Sequence, residues 1–314
     1  PKAELDPMHL IRDISQLEQL QQGSVATIGN FDGLHLGHQL IFKQLEQRAE
    51  ELKLPKVVIS FEPLPIEFFS GHQAQRVYPF RDKVRYLSQL GIDYFLCLRF
   101  NDKLANMPPD QFIDELLLRM ANVRHLVVGD DFCFGKKRQG NYQLLKDTGK
   151  QHNMLVTNSE TLTDNIGRIS STRIRQHLNA GEINQANTLL GRNYCLSGRV
   201  RHGDKMGRTI GFPTMNLRIQ DNIAAANGVY CVLVTGLKGT ELKGVANLGN
   251  RPTVDGIETR LEVHLFDFNE VVYGEHIKVE LVSFLRPEIR FENFQALTVQ
   301  ITKDVVEAKK QLCF

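Results

Sequence analysis

The chain has 314 residues, of which 42% are hydrophobic and 24% are charged. This composition excludes disordered and collagen-like chains, and the length favours two domains, each large enough to bury its own core. Lys and Arg total 38 against 36 Asp and Glu, so the net charge of +2 creates no general field for nucleic acid or an acidic membrane, and we expect neither as a partner.

The first half of the chain alternates short apolar runs with segments of helical period. The runs SVATIG, KVVIS, YFLCL and HLVVG predict buried strands beginning at residues 24, 56, 94 and 125. Residues 37–52 predict a helix whose apolar face comprises Leu40, Ile41, Leu45, Ala49 and Leu52. This alternation predicts a parallel sheet with helices on both faces. Two further helices are predicted near residues 171–178 and 183–190.

The stretch TIGNFDGLHLGHQ, residues 27–39, lies where the first predicted strand ends and its helix begins. Parallel sheets bind ligands at this edge, and a helix start offers unpaired N–H groups to an anion. Glycines at positions 29, 33 and 37 allow close backbone approach, and His35 and His38 can point at the same anion. The stretch therefore predicts a phosphate site. A metal site would need a third ligand, and a polar turn with two solvated histidines stays open on spacing alone.

Two further loops follow predicted strands and therefore reach the same sheet edge. One is FEPLP, residues 61–65, and the other is GDDFCFGKKRQGN, residues 129–141. In the second loop, Phe132 and Phe134 can stack on a planar ring while Asp131 bonds its polar edge. An ordinary loop with core phenylalanines is the alternative interpretation.

The segment RISSTRIR, residues 168–175, combines hydroxyl groups with guanidinium groups. Ser170, Ser171 and Thr172 offer hydrogen-bond donors to a phosphate, and Arg173 offers a bidentate cation. Read alone, SSTRIR is more typical of a helix N-cap followed by a basic first turn.

After Asn193 the pattern changes to apolar runs separated by Gly, Asp and Asn turns, with no helix between them. The runs CLSGRV, GVYCVLV, LKGVANL, RLEVHLF and HIKVELV predict a small antiparallel barrel. A final helix, expected to pack across the barrel, is predicted from apolar residues spaced three and four apart: Phe294, Leu297, Ile301, Val305, Ala308 and Leu312. We place the boundary at residue 184, which gives domains 8–184 and 185–314.

Residues 198–217, GRVRHGDKMGRTIGFPTMNL, suggest a second phosphate site. Gly203, Gly207 and Gly211 are typical of a flexible loop over phosphates, although the chain has neither a Walker motif nor GxGxxG. Thr214 and Asn216 lie two residues apart on an extended segment and offer the oxygen ligands that Mg²⁺ accepts. A polar strand face in water explains these two residues equally well.

Glu262 lies on a predicted strand with alternating polarity. Together with His264 it is on the face opposite Leu261, Val263 and Leu265. A carboxylate in such a position is often only solvated, but it is a candidate general base if it faces a ligand.

The five cysteines are odd in number, widely spread and free of CxxC spacing. A disulfide framework and a zinc site are therefore not expected, and a reducing cytoplasm fits best. No apolar run is long enough to span a bilayer, and no signal pattern is visible at the N-terminus, so we expect a cytoplasmic protein.

Two sets of motifs resemble known families. GNFDGLHLGHQ and RISSTRIR resemble the motifs of the HIGH-type nucleotidyltransferases, which have a Rossmann-like α/β fold. GRTIGFPTMNL, GVYCV, GVANLGNRPTV, LEVHLFDF, VYGEHI and FLRPEIRF, in this order, resemble the riboflavin kinase barrel. Together they resemble the bacterial bifunctional riboflavin kinase and FAD synthetase family over nearly the whole chain from about Leu10.

For the first domain, the resemblance implies adenylylation of FMN by ATP. His35, His38 and Arg173 would act on the phosphates, and Asp131, Phe132 and Phe134 would hold the flavin. The matching nucleotide-binding positions are Gly29, Asn30, Phe31, Asp32, Gly37, Ser171 and Thr172.

For the second domain, the resemblance implies phosphorylation of riboflavin by ATP. Glu262 would help to deprotonate the 5′-hydroxyl, and Thr214 and Asn216 would bind Mg²⁺ and phosphate. The remaining matches are Gly203, Gly207 and Gly211 for the nucleotide and Arg286, Glu288 and Arg290 for the flavin. Asn250 and Leu64 depart from the residues that this resemblance leads us to expect, but neither replaces a proposed catalytic group.

Three other functions are alternatives. A kinase with a degenerate first domain would be expected to lose the HxGH or SSTRIR motif. A flavin-binding regulator or carrier without turnover would be expected to lose the histidines, Glu262 or the Thr214 and Asn216 pair. All of these residues are present. A transfer-RNA synthetase is disfavoured by the low net charge and by the lack of an apparent RNA-binding appendage.

Overall fold

The computed structural model describes residues 8–12, 20–71, 74–202, 211–220, 222–237, 239–253 and 256–314. They form two compact units. The first contains the described residues of Pro1–Ala74 and Lys83–Ser170, and the second contains those of Gln75–Asp82 and Ser171–Phe314. This division is one of compactness and does not test a functional boundary, so the boundary at residue 184 stays a prediction.

The first unit is built on a six-stranded sheet in which every neighbouring pair is parallel. The order across the sheet is β1-β4-β3-β2-β5-β6. The strands are β1 (His9–Ile11), β2 (Ser24–Ile28), β3 (Lys56–Glu62), β4 (Tyr94–Arg99), β5 (Val123–Gly129) and β6 (Leu155–Ser159). The helices are α1 (Leu36–Leu52), α2 (Pro65–Ser70), α3 (Phe80–Gln89), α4 (Asp102–Ala105), α5 (Pro109–Phe112) with a π-helical continuation (Ile113–Met120), a 3₁₀ turn (Lys136–Arg138) and α6 (Tyr142–Gln151). Helix α3 belongs to this unit from Lys83 onward.

The four predicted strands are confirmed as β2, β3, β4 and β5, and their apolar residues are almost fully buried. The edge strands β1 and β6 were not predicted. β1 has only three residues, and β6 reads LVTNS, which is apolar only at its first two positions. Neither segment carries a long enough apolar pattern to predict a strand.

Helix α1 follows β2, with candidate His35 as its N-cap and candidate His38 in its first turn. Its buried side chains are Phe42, Leu45 and Ala49, so the predicted apolar face is correct at two of these positions. Leu52 is 43% exposed. It is the last residue of the helix, and Lys53 follows in the left-handed conformation that ends α1.

The second unit contains the two helices predicted after residue 170 and then an antiparallel sheet. The helices are α7 (Ser171–Asn179) and α8 (Ile183–Leu190). The strands are β7 (Tyr194–Arg199), β8 (Met215–Ile219), β9 (Gly228–Leu237), β10 (Thr240–Thr253), β11 (Gly256–Leu265) and β12 (His276–Pro287). Their order is β7-β12-β9-β10-β11-β8. The N–H of Arg201, just after β7, donates to the carbonyl oxygen of Asn216 on β8 at 2.8 Å, which nearly closes the sheet into a barrel.

Side chains on the barrel strands alternate between the interior and the outer face. On β11, Leu261 and Val263 are fully buried in the interior, and Glu262 between them faces outward. The last helix, α9 (Phe294–Gln311), packs on the outer face, where Ala308 lies in one cluster with Val229 and Val245. The α/β first half, the antiparallel barrel and the packing of the final helix are therefore confirmed.

Within the described part of the chain, no helix is both long enough and apolar enough to cross a bilayer.

Candidate active sites

The turn between β2 and α1 holds the two candidate histidines together. His35 is the N-cap of α1, and its Nδ1 accepts a hydrogen bond from the backbone N–H of His38 at 3.4 Å. The two imidazole rings are stacked with centroids 3.7 Å apart and planes 20° apart. Because Nδ1 of His35 is an acceptor, Nε2 carries the proton when the ring is neutral. Both rings therefore lie at the positive end of the α1 dipole, as the spacing predicts.

The backbone of this turn is unusual. Phe31 and Leu34 both have φ of 46°, a left-handed conformation that costs a residue with a Cβ free energy, and Gly33 has φ of 88°. Gly37 lies close to the first histidine, since a Cβ there would lie 3.2 Å from the His35 ring, a tight contact. Of the other predicted nucleotide-binding residues, Gly29 follows β2, Asn30 is exposed and Asp32 is buried.

A lysine that the sequence analysis did not identify as a candidate, Lys83, donates a hydrogen bond to the backbone of Asn30 in this turn. Nζ of Lys83, on α3, donates to the carbonyl oxygen of Asn30 at 2.6 Å and to Oγ of Ser60 at 2.7 Å. The Lys83 side chain also lies over the Phe95 ring, 5.6 Å from its centroid, and the residue is only 6% exposed. In the sequence FRDKVRYLSQ, a charged residue of this kind is typical of a solvated helix face.

The loop after β5 places Asp131 and Phe132 near the carboxyl end of that strand. Arg168 forms an ion pair with Asp131 at 2.7 Å, and this hydrogen bond lowers the pKa of the Asp131 carboxyl and raises the pKa of the Arg168 guanidinium. Phe132 is half-buried. Phe134 is buried, with its ring centroid 5.0 Å from that of Phe112. Phe132 therefore keeps ring surface that a ligand can reach, whereas Phe134 supports the loop from the core.

The segment RISSTRIR is divided between the two compact units. Ser170 belongs to the first unit, and Ser171 begins α7 in the second. Within α7, Oγ1 of Thr172 accepts a hydrogen bond from Arg175 at 3.1 Å, and Arg173 is half-buried. The roles predicted for Ser171, Thr172 and Arg173 stay predictions.

On the outer face of the barrel, strand register brings polar residues from three strands into one row. Glu262 on β11 lies directly opposite Asn216 on β8 and opposite Asn247 on β10. Arg251 binds the Glu262 carboxylate at 2.5 Å, and Nδ2 of Asn247 donates to the Glu288 carboxylate at 3.0 Å. The structure thus brings together Asn216, Glu262 and Glu288, which the sequence assigned to a metal, a catalytic and a flavin role.

The segment before β8 is held against β11 by a histidine. Nδ1 of His264 lies 2.9 Å from the carbonyl oxygen of Pro213, and because a carbonyl only accepts, Nδ1 carries the proton. Burial lowers the pKa of His264. The contact fixes the backbone immediately before Thr214 and therefore orients Thr214 and Asn216.

The donors at this end of the barrel fit Mg²⁺, which prefers oxygen ligands. Thr214 offers a hydroxyl, and the 9% exposed Asn216 offers an amide oxygen, since its Nδ2 points at the Thr214 carbonyl at 3.5 Å. No cluster of three His, Cys, Asp or Glu ligands occurs among the residues that the structure describes. Gly203 and Gly207 lie outside the described residues, and Gly211 has φ of 83°, which favours glycine.

Arg286 lies at the end of β12 and turns toward the final helix. Its Nε and Nη2 both bind the Asp304 carboxylate on α9, at distances between 2.6 and 3.1 Å. Both side chains of the pair are largely buried. Glu288 and Arg290, two and four residues further on, are exposed. The ion pair therefore fixes the start of the segment from Arg286 to Arg290, whose residues the sequence analysis predicts to contact flavin.

Comparison with protein families decides the identity of both regions. Residues 17–173 match the family described as FAD synthetase, and residues 190–312 match the family described as riboflavin kinase. The chain belongs to the bifunctional riboflavin kinase/FMN adenylyltransferase family.

Two bacterial members of this bifunctional family illustrate the match. The protein named bifunctional riboflavin kinase/FMN adenylyltransferase from Haemophilus influenzae is 44% identical over 303 residues, which cover 96% of this chain and 98% of that protein. Its Escherichia coli K12 namesake is 44% identical over 305 residues, covering 96% and 97%. A solved structure described as a macrolide-efflux protein from Streptococcus pneumoniae is also similar, with 30% identity, a TM-score of 0.80 and coverage of 95% and 97%. The two chains share their fold.

Several residues at the bifunctional family's two regions were not found from the sequence. They are Lys83, Asn247, Arg251 and Asp304, and each contacts a candidate residue or its backbone. Asn247 lies in GVANLGNRPTV, a quoted motif, and the strand alternation that placed Glu262 outward could have placed Asn247 beside it. Lys83 and Asp304 left no such signal, because each is a charged residue on an amphipathic helix.

Proposed function

We propose that this chain makes FMN from riboflavin and ATP and then makes FAD from FMN and a second ATP. The observation that carries the proposal is the occurrence of both family regions in one chain, at residues 17–173 and 190–312. Relatives whose names contain both activities are 44% identical over 96% of the chain.

For the kinase step, Glu262 is the proposed general base. It accepts the proton of the riboflavin 5′-hydroxyl as that oxygen attacks the γ-phosphorus of ATP, and ADP leaves. Arg251 binds one oxygen of the Glu262 carboxylate and so orients the other toward an incoming hydroxyl. Asn216 is the cross-strand neighbour of Glu262, so a phosphate bound at Asn216 would lie close to the reacting hydroxyl.

Thr214 and Asn216 are the proposed ligands of Mg²⁺, with Gly203, Gly207 and Gly211 close to the ATP phosphates. When bound, Mg²⁺ neutralises the negative charge on the phosphates. The arrangement supports this role because the buried Asn216 lies directly opposite the candidate base Glu262, and Thr214 precedes Asn216 by two residues. Arg286, Glu288 and Arg290 are proposed to contact the flavin at the end of β12.

For the adenylylation step, the N-terminus of α1 is the proposed ATP phosphate site. An oxygen of the FMN phosphate attacks the α-phosphorus, and pyrophosphate leaves. His35 and His38 donate to the charge that develops on the leaving pyrophosphate, together with the dipole of α1. The first turn of α1 reads LGHQ and carries no acidic side chain to oppose an anion.

The flavin of FMN is proposed to bind at the loop after β5. Phe132 offers a ring for stacking, Phe134 supports it, and Asp131 accepts a hydrogen bond from the flavin's polar edge. We keep Ser171 and Thr172 as proposed nucleotide-binding residues and Arg173 as a proposed catalytic residue on the phosphates, because the FAD synthetase match extends to residue 173. We also propose a cytoplasmic location, which agrees with five cysteines that carry free thiols.

A chromatographic time course of the protein with riboflavin, ATP and Mg²⁺ tests the function. We expect FMN to appear first and then to give way to FAD. FMN without FAD would retain the kinase and overturn the adenylylation step, and the absence of both products would overturn the whole proposal.

A further inference from the structure

Lys83 is a buried cation that bonds to the histidine-bearing turn. Its ammonium donates to the carbonyl oxygen of Asn30 at 2.6 Å and to the Ser60 hydroxyl at 2.7 Å, and the same hydroxyl donates to Asn30 at 3.3 Å. Lys83 thus ties helix α3 to the ends of β2 and β3. A buried lysine loses hydration and rotamer freedom, so a plain packing role would be served as well by an apolar side chain.

The Asn30 carbonyl marks the point where the chain leaves the regular sheet. Gly29 still donates a hydrogen bond to Ile59 on β3, whereas Phe31, Gly33 and Leu34 all have positive φ before α1 begins at Leu36. A turn with three left-handed residues persists only when its surroundings fix it. Asn30 is exposed to solvent, but its carbonyl oxygen accepts a hydrogen bond from the buried Lys83 ammonium.

We propose that Lys83 is a positioning residue for adenylylation: it fixes the Asn30 carbonyl so that His35, His38 and the first N–H groups of α1 face the phosphates of ATP. Lys83 itself touches no reacting atom. This inference rests on the adenylylation step proposed above. Geometry of this kind is sensitive, because a misplacement of about 1 Å can lower a rate by about 10².

The test compares Lys83→Met, which keeps chain length and removes the donor, with Lys83→Gln, which keeps a neutral donor. Lys43→Met, at an exposed position on α1, is the matched control. FAD formation from supplied FMN is measured at saturating ATP, together with FMN formation and the unfolding temperature. We expect kcat for FAD formation to fall at least 10-fold in Lys83→Met and less in Lys83→Gln. FMN formation should change less than about twofold, and the control should match the wild type.

A purely structural lysine would give another result. The unfolding temperature would fall, while kcat of the folded protein stayed within about twofold of the wild type, and that outcome overturns the proposal. If Lys83→Met does not fold, Lys83→Gln decides in the same way.

Histidine NMR separates failure of this inference from failure of the adenylylation step. In ¹⁵N-histidine-labelled protein, with signals assigned from His35→Asn and His38→Asn variants, Lys83→Met should shift both ring signals and Lys43→Met should not. Unmoved signals overturn the positioning role whatever reaction the domain catalyses. A wild-type protein that makes no FAD overturns the proposed reaction, while shifted ring signals would still support the positioning of the turn.

Discussion

The carboxylate of Glu262 and the amide of Asn216 lie directly opposite each other on neighbouring barrel strands, on the outer face. Cross-strand neighbours of this kind have Cβ atoms about 5 Å apart, so one small group can contact both. A candidate base and a candidate phosphate or metal ligand therefore share one face of the barrel.

Replacing Glu262 with Gln should abolish FMN formation, because the amide cannot accept the hydroxyl proton. FAD formation from supplied FMN should stay within about twofold of the wild type, since His35 and His38 lie in the other compact unit. Both products are quantified by chromatography, with exposed Glu241→Gln as the control. Loss of both activities in a folded variant would contradict the assignment of one reaction to each family region.

His38→Ala should have the opposite effect. Loss of one preorganised donor lowers a rate by about 10² to 10³, so we expect this loss in FAD formation and none in FMN formation. His152→Ala, at an exposed position just after α6, is the control. Unchanged FAD synthesis would return the histidine pair to a solvated polar turn.

The ion pair between Arg168 and Asp131 predicts that the folded protein loses stability at acidic pH. The pKa of Asp131 is lowered in the folded protein, so its stabilising effect is fully present above the ordinary Asp pKa of about 3.9 and is lost as pH falls through the lowered pKa. Arg168→Met should raise the Asp131 pKa toward its ordinary value in ¹³C carboxyl NMR. Because both side chains are about half exposed, the loss of unfolding free energy at pH 7 should stay below about 1 kcal/mol. An unmoved Asp131 titration would refute the pair as its cause.

The buried Arg286 and Asp304 pair separates stability from flavin binding. Asp304→Ala removes one partner and should cost about 3 to 5 kcal/mol of unfolding free energy, measured with urea. The double variant Arg286→Met with Asp304→Leu should regain most of this free energy, because it leaves no buried charge. If Arg286 contacts the flavin, the KM for riboflavin stays raised in the double variant. A normal KM there would limit Arg286 to a structural role, and exposed Asp267→Asn is the control.

The sequence predicted those features of the molecule that depend on residues close together in the chain, within one strand or one helix start. The alternating polarity of β11 predicted that Glu262 and Leu261 point to opposite faces of the strand. The three-residue spacing of His35 and His38 predicted that both rings lie at the start of one helix. The ammonium of Lys83 contacts Asn30, 53 positions away, and Arg286 contacts Asp304 across 18 residues. Neither distance follows from a local pattern, because strand order and helix packing determine which distant residues meet.

On strand β11, residues that stabilise the barrel core alternate with residues proposed to take part in the kinase reaction. Leu261 and Val263 fill the barrel interior, while Glu262 and His264 face outward, on the side of the proposed kinase site. Substitutions along this strand should therefore fall into two interleaved classes, one that changes how much protein accumulates in a cell and one that changes turnover per molecule. Selection for a more stable barrel can act on the first class and leave the chemistry of the second untouched.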